Sequence, residues 1–196
     1  MTLLDLRLRE FLDEVAGTGR TPGGGSLAAL VTAAAAGLLA KVARASKADW
    51  PDAAGVAAQA ESLRDRAAPL AQLDADEYEA ALRSVGEAGD ESADRRDFAV
   101  GRAYARAAEP PLRIVETATD VAELAALVAR NGDPSLRADA TAAGALAAAA
   151  ARAAAELVAV NLTASADDER VLRAHALAEL AARAADEAFA GGEPWE

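Results

Sequence analysis

Apolar and polar positions follow a helical period along almost the whole chain. Leu4, Leu8, Phe11, Leu12 and Val15 recur at i, i+4, i+7, i+8 and i+11, one stripe that predicts a first helix over Thr2–Ala16, ended by Gly17-Thr18-Gly19. Leu27–Ala40 carries no charge, which predicts a second helix from Ser26 to about Ser46, polar only from Lys41 and Arg44. A helix apolar on all sides is central, covered by neighbours or by a second subunit. That run is 14 residues and alanine-rich, too short to cross a bilayer and suited to a core helix. A third helix is predicted from about Pro51 to Val85, with Asp49 as candidate cap and a kink at Pro69 from a lost hydrogen bond and a ring clash. A fourth runs from about Asp94 to Ala129, bent at Pro110-Pro111. Asn131-Gly132-Asp133-Pro134 is a stop-and-restart signal. The fifth helix spans about Ser135–Thr163, and its stretch Ala140–Ala151 is almost bare of large side chains. Asp167 or Asp168 caps the sixth, which ends near Gly191-Gly192. With no fixed-period repeat and no linker, 1–196 reads as one all-α domain, a bundle of about six helices with two long and kinked.

Composition sharpens this picture. Hydrophobic residues make up 53% of the chain, mostly alanine, the best helix former, while aromatics are only 4%, so helices can pack closely with few large side chains. A net charge of −12 argues against a nucleic-acid partner, which needs a basic face, and against an anionic membrane surface. The absence of cysteine excludes disulfide and thiol chemistry and fits a cytoplasmic protein. Asp5, Arg7, Arg9 and Glu10 in the first turns do not suit a signal peptide.

Candidate chemistry begins at Thr21-Pro22-Gly23-Gly24-Gly25-Ser26. Three glycines let another group approach the main chain, proline stiffens the entry, and Ser26 stands where the N-cap of the second helix is expected. Free N–H groups at such a start favour an anion, so the segment offers backbone donors to a carboxylate, phosphate or carbonyl oxygen. A plain tight turn is the competing reading. A Walker loop is excluded because it ends in Gly-Lys-Ser/Thr and here Gly25 is followed by Ser26 and Leu27, and a dinucleotide fingerprint is excluded because no strand precedes the glycines.

Among the acids, Asp74 and Asp76 point about 200° apart on a helix and cannot form one dyad, whereas Asp74 and Tyr78 share a face. A solvated acidic surface explains the same pattern. Asp139 lies just inside the fifth helix, where an acid also suits the helix dipole. His175 is the only histidine, and its neighbours suit an exposed or half-buried helix position. Glu-x-x-His is absent, because position 172 is leucine, so a di-iron carboxylate bundle is unsupported.

Taken together, several segments resemble the formiminotetrahydrofolate cyclodeaminase and methenyltetrahydrofolate cyclohydrolase family. They are Phe11-Leu12 with Thr21–Ser26 and Ala28-Ala29-Leu30; Asp74-Ala75-Asp76 with Tyr78; Pro111-Leu112-Arg113; Gly132-Asp133-Pro134 with Asp139 and Ala142-Ala143; and Asn161-Leu162. The resemblance covers nearly the whole chain in order, and Pro-Gly-Gly-Gly-Ser is its most specific piece. It implies an all-helical homodimer that takes a tetrahydrofolate derivative as substrate and holds no tight cofactor. The implied reaction is hydrolysis of 5,10-methenyltetrahydrofolate, or cyclisation of 5-formiminotetrahydrofolate with loss of ammonia. Asp74, Asp76 and Asp139 are implied to share one cleft, Asp76 or Asp139 transferring the proton and Asp74 orienting. Pro22, Gly23, Gly24, Gly25, Ser26, Tyr78 and Arg113 are implied to bind substrate. Two departures stand out: Arg83-Ser84-Val85-Gly86 replaces the family's Leu-Pro-Lys element, and Ala138 replaces a serine. They keep open a non-catalytic or altered-substrate relative.

Overall fold

The computed structural model describes residues 2–46, 50–87, 92–162 and 167–190. Eight α-helices follow one another: α1 (Leu8–Ala16), α2 (Gly24–Ala45), α3 (Ala53–Ala67), α4 (Leu70–Glu87), α5 (Ala93–Ala107), α6 (Glu109–Asn131), α7 (Arg137–Asn161) and α8 (Glu169–Ala190). They form six rods, because α3 with α4 and α5 with α6 are two long helices broken where the prolines stand. Among the described residues there is no strand.

Each break has a local cause. Pro69 has no N–H, and the ladder closes at Ala68 N–H to Arg64 O (3.0 Å) before reopening with Leu73 N–H to Pro69 O (3.2 Å). Pro110 and Pro111 lie in the first turn of α6, where backbone N–H groups have no helical partner to lose. Ala108 N–H still reaches Tyr104 O at 3.0 Å, so α5 runs into α6 without a loop.

α6 and α7 form the centre, flanked by α8, α2 and α3. The core is built at backbone spacing: Ala118, Ala122, Ala125, Ala143, Ala147 and Ala151 are fully enclosed. A Cβ on Gly144 would stand 3.1 Å from the Cβ of Ala125 and 3.7 Å from the Cα of Ala185, so α7 sits hard against both α6 and α8. α5 is peripheral and packs mainly on α4 through Ala81, Ala103 and Ala107.

Three expectations need correction. α2 starts at Gly24 with Gly23 as its N-cap, so Ser26 lies in the first turn and is not the cap. The first helix starts at Leu8 after a short 3-10 turn, and of its stripe only Phe11 is buried; Leu4, Leu8 and Leu12 are 50%, 74% and 54% exposed. α2 reaches 22 residues, so by length and composition α2 and the 134–161 segment could each cross a membrane. Within the bundle, 61% and 44% of their most apolar windows are buried. Asp168 caps α8 by accepting from Arg170 N–H at 2.9 Å. The predicted cap at Asp49 and the stop at Gly191-Gly192 lie outside the described residues.

Candidate functional site

The start of α2 opens into a cleft of about 230 Å³. One wall is the loop and first turn, Arg20, Thr21 and Gly23 to Gly25; the second is α4, through Asp74 and Tyr78; the third is the end of α7, through Leu157, Val160 and Asn161. α2 and α7 run antiparallel, which brings Gly24 beside Leu157 at one end and Lys41 beside Asp139 at the other. The loop is tied down from outside the cleft. Thr21 donates its hydroxyl to Glu79, and the Thr21–Pro22 peptide is cis, with Pro22 half-buried behind the wall.

Asp74 dominates the chemistry. Its carboxyl lies where a Cβ on residue 25 would go, so Gly25 is required for this close approach. The Ser26 backbone N–H donates to it, one of the donors a helix start leaves without an internal partner. The Ser26 hydroxyl has a single hydrogen, and its short contact, 2.8 Å, is to the carbonyl of Ala71. At 3.4 Å from Asp74 Oδ2 it is a weak donor to the carboxylate and a ready acceptor from the protonated acid. Burial outweighs these hydrogen bonds and holds the Asp74 carboxyl above the usual carboxylate range. The helix start expected to take an external anion is therefore partly filled by the chain's own carboxyl. What the cleft presents outward is an acid with a raised pKa, an aromatic hydroxyl and an apolar wall.

The other predicted site residues divide clearly. Gly23, Gly24, Gly25 and Tyr78 line the cleft, and Ser26 is buried directly behind it. Asp76 is exposed on the far side of α4 and accepts from Gln72 Nε2 at 2.8 Å. The same glutamine accepts from Leu3 N–H at 2.9 Å, so Asp76 belongs to the anchor of the N-terminal segment. Asp139 is 18 residues before Leu157 on α7, about 27 Å along the axis, and pairs with Lys41 at 3.4 Å. Arg113 faces a different cleft, beside Arg66 and Arg173. The expectation that Asp74, Asp76 and Asp139 share one cleft fails within a single chain, and so does the placement of Arg113 there. The reasons differ: Asp76 lies on the opposite side of α4 from Asp74, and Asp139 stands at the far end of the 25-residue α7 from the cleft.

Five cleft residues were not predicted: Arg20, Thr21, Leu157, Val160 and Asn161. The spacing of Leu157 and Asn161 at i, i+4, next to the Asn161-Leu162 pair already noted, was the available signal. Asn161 is held by donating its Nδ2 to the carbonyl of Ala107 at 2.9 Å.

With this geometry in hand, the profile of the formiminotransferase-cyclodeaminase family matches residues 7–180, and the chain belongs to that family. It is similar in structure to a formiminotetrahydrofolate cyclodeaminase from Thermotoga maritima, with a TM-score of 0.80 over 96% of this chain and 98% of that one. Sequence identity across that match is 24%, so the likeness speaks to the fold. No curated protein matches the sequence.

Proposed function

We propose that the protein is a cytoplasmic, homodimeric enzyme of folate one-carbon metabolism. Its substrate is 5,10-methenyltetrahydrofolate, hydrolysed to the 10-formyl compound, or 5-formiminotetrahydrofolate, cyclised with loss of ammonia. The observation that carries this reading is the half-buried Asp74 carboxyl, its pKa raised, packed against Gly25 at the glycine-rich start of α2. Family membership and the activity named for the Thermotoga maritima protein support it.

The chemistry fits the groups present. The methenyl unit and the protonated formimino unit are both amidine-like cations, and a carboxylate beside them favours them electrostatically. Water attack or ammonia departure needs a proton moved, and a carboxyl whose pKa burial raises is better suited to carry it than an ordinary one. Tyr78 and Leu157 offer a flat, largely apolar wall to the pterin ring, and Arg20 at the rim offers a cation to the carboxylates of the glutamate tail.

The test is the absorbance of 5,10-methenyltetrahydrofolate with and without protein, and ammonia release from 5-formiminotetrahydrofolate. Turnover above the buffer rate with either compound is expected, lowered about 10²–10⁴-fold by Asp74→Asn. Both rates equal to buffer would remove the enzymatic reading. Tight binding without turnover would then favour the non-catalytic relative, the reading to which the replaced Leu-Pro-Lys element points. In that region Arg83 stands beside Arg20 and Glu79 in a groove next to the cleft.

A further inference from the structure

A second cleft, of about 280 Å³, opens where the end of α3 meets α6 and α8, and it shares no residue with the cleft at the start of α2. Three guanidinium groups reach it from three helices: Arg66, Arg113 and Arg173. Arg113, Glu116 and Asp120 follow one another at i, i+3 and i+7 on one face of α6. Asp120 pairs with Arg66, and Glu116 pairs with Arg173 at 2.6 Å, each through Nη2. Both arginines are thus held in place with other N–H groups left open. Arg113 makes no ion pair among the described residues. Three cations against two carboxylates give the cleft a positive excess, on a chain whose net charge is −12. The walls are fixed in register beside it, where the Thr119 hydroxyl donates to the carbonyl of Leu177 at 3.1 Å and ties α6 to α8.

We propose that this cleft binds a small dicarboxylate, with one carboxylate on Arg113, the other on the open donors of Arg66 and Arg173, and the carbon chain along Leu177. Planar guanidinium forks match a carboxylate with two parallel hydrogen bonds. A phosphate site commonly adds backbone N–H groups at a helix start. Here the lining residues of α6 and α8 stand inside their helices, where those groups are spent on the ladder. The Thr117 hydroxyl is spent as well, on the carbonyl of Arg113 at 2.8 Å. Half-buried Leu177 offers an apolar surface that a methylene chain covers and a bare phosphate leaves wet. Size agrees: the volume lies just under the roughly 300–1,000 Å³ of sites for larger ligands, so it suits a body of a few carbons. A single carboxylate would engage Arg113 and leave the open donors of the flanking arginines to water; a second one takes them up. Glu116 and Asp120 act as fixed counter-ions that aim Arg173 and Arg66, and they limit the negative charge the cleft accepts.

Succinate, butyrate and inorganic phosphate separate the alternatives. Each is titrated into the full chain at constant ionic strength, held with sodium chloride, and followed by amide chemical shifts. Succinate should move amides at the end of α3 and along the facing turns of α6 and α8. It should bind about tenfold or more tightly than butyrate, which has the same chain length and one carboxylate, because the second carboxylate adds charge-assisted hydrogen bonds. It should also bind more tightly than phosphate. Arg113→Gln should weaken succinate about tenfold or more with the helical circular dichroism kept, and Arg173→Gln should weaken it too. Arg152→Gln, exposed on α7 and outside the cleft, should leave the affinity unchanged. Four outcomes would overturn the site: no shifts at these helices up to about 10 mM succinate, equal affinity for succinate and butyrate, tighter binding of phosphate, or equal affinities in Arg113→Gln and Arg152→Gln.

Discussion

The Asp74 carboxyl occupies the space that a side chain on residue 25 would need. The two residues lie on different helices, and each fixes the other. The glycine admits the acid to the start of α2, and the acid accepts from the Ser26 N–H exposed there.

Gly25→Ala should therefore act as an indirect mutation of Asp74. The new methyl expels the carboxyl from its place, at a cost of about 1–3 kcal/mol in denaturant unfolding. Turnover should fall at least as far as in Asp74→Asn, with the helical circular dichroism kept. A Gly25→Ala protein with wild-type kinetics would show that the carboxyl need not sit there.

Asp74→Asn should raise thermal stability at neutral pH. An acid whose folded pKa lies above its unfolded value binds more protons when folded, so its contribution to stability falls as pH rises from the unfolded pKa through the folded one. Above both values the cost of a partly desolvated charge is present; below both it is gone. The melting temperature of the variant should exceed that of the wild type at pH 8 and equal it near pH 3. An advantage independent of pH would point to packing and not to ionisation.

Asp168 gives the opposite pH dependence. Hydrogen bonds from the Arg170 side chain and backbone hold its carboxyl down at about 2, so the stability it contributes is present above its ordinary pKa and lost as pH falls towards 2. Asp168→Asn should lower the melting temperature at pH 7 and have little effect at pH 2, read by calorimetry across that range.

Asp76→Ala should leave turnover within about twofold of wild type, since its carboxyl faces Gln72 and not the cleft. A tenfold loss would return Asp76 to the site.

Gly144→Val should cost about 1–3 kcal/mol, because its Cβ meets Ala125 at 3.1 Å and both helices are pinned by further contacts. Chemical denaturation measures this directly.

The bends at Pro69 and Pro110-Pro111 were legible because proline acts locally, whereas the uncharged run of α2 marked a core helix without showing that it flanks the α6–α7 centre and leaves Leu27 and Ala34 exposed. The start of α2 was misread for a tertiary reason: the Ser26 hydroxyl that suggested a cap is drawn to the Ala71 carbonyl of another helix. Asp74 could be singled out only through the family pattern, since nothing in its neighbours along the chain announces burial by α2. The separation of Asp139 from it was hidden because a pattern of motifs carries no distances; the length of α7 sets that. The exposure of Leu4, Leu8 and Leu12 was equally invisible, as an amphipathic stripe does not say what covers it.

The junction at Ala108 has a consequence for the timescales of the molecule. α5 contributes little to the core and leaves Phe98 67% exposed, so its amides should exchange with deuterium early, while those of α6 and α7 exchange only on global unfolding. Yet Asn161 in the cleft is held by the last carbonyl of α5. Opening of that segment would free the asparagine to rotate, so the wall of the cleft that Asn161 provides depends on a peripheral helix.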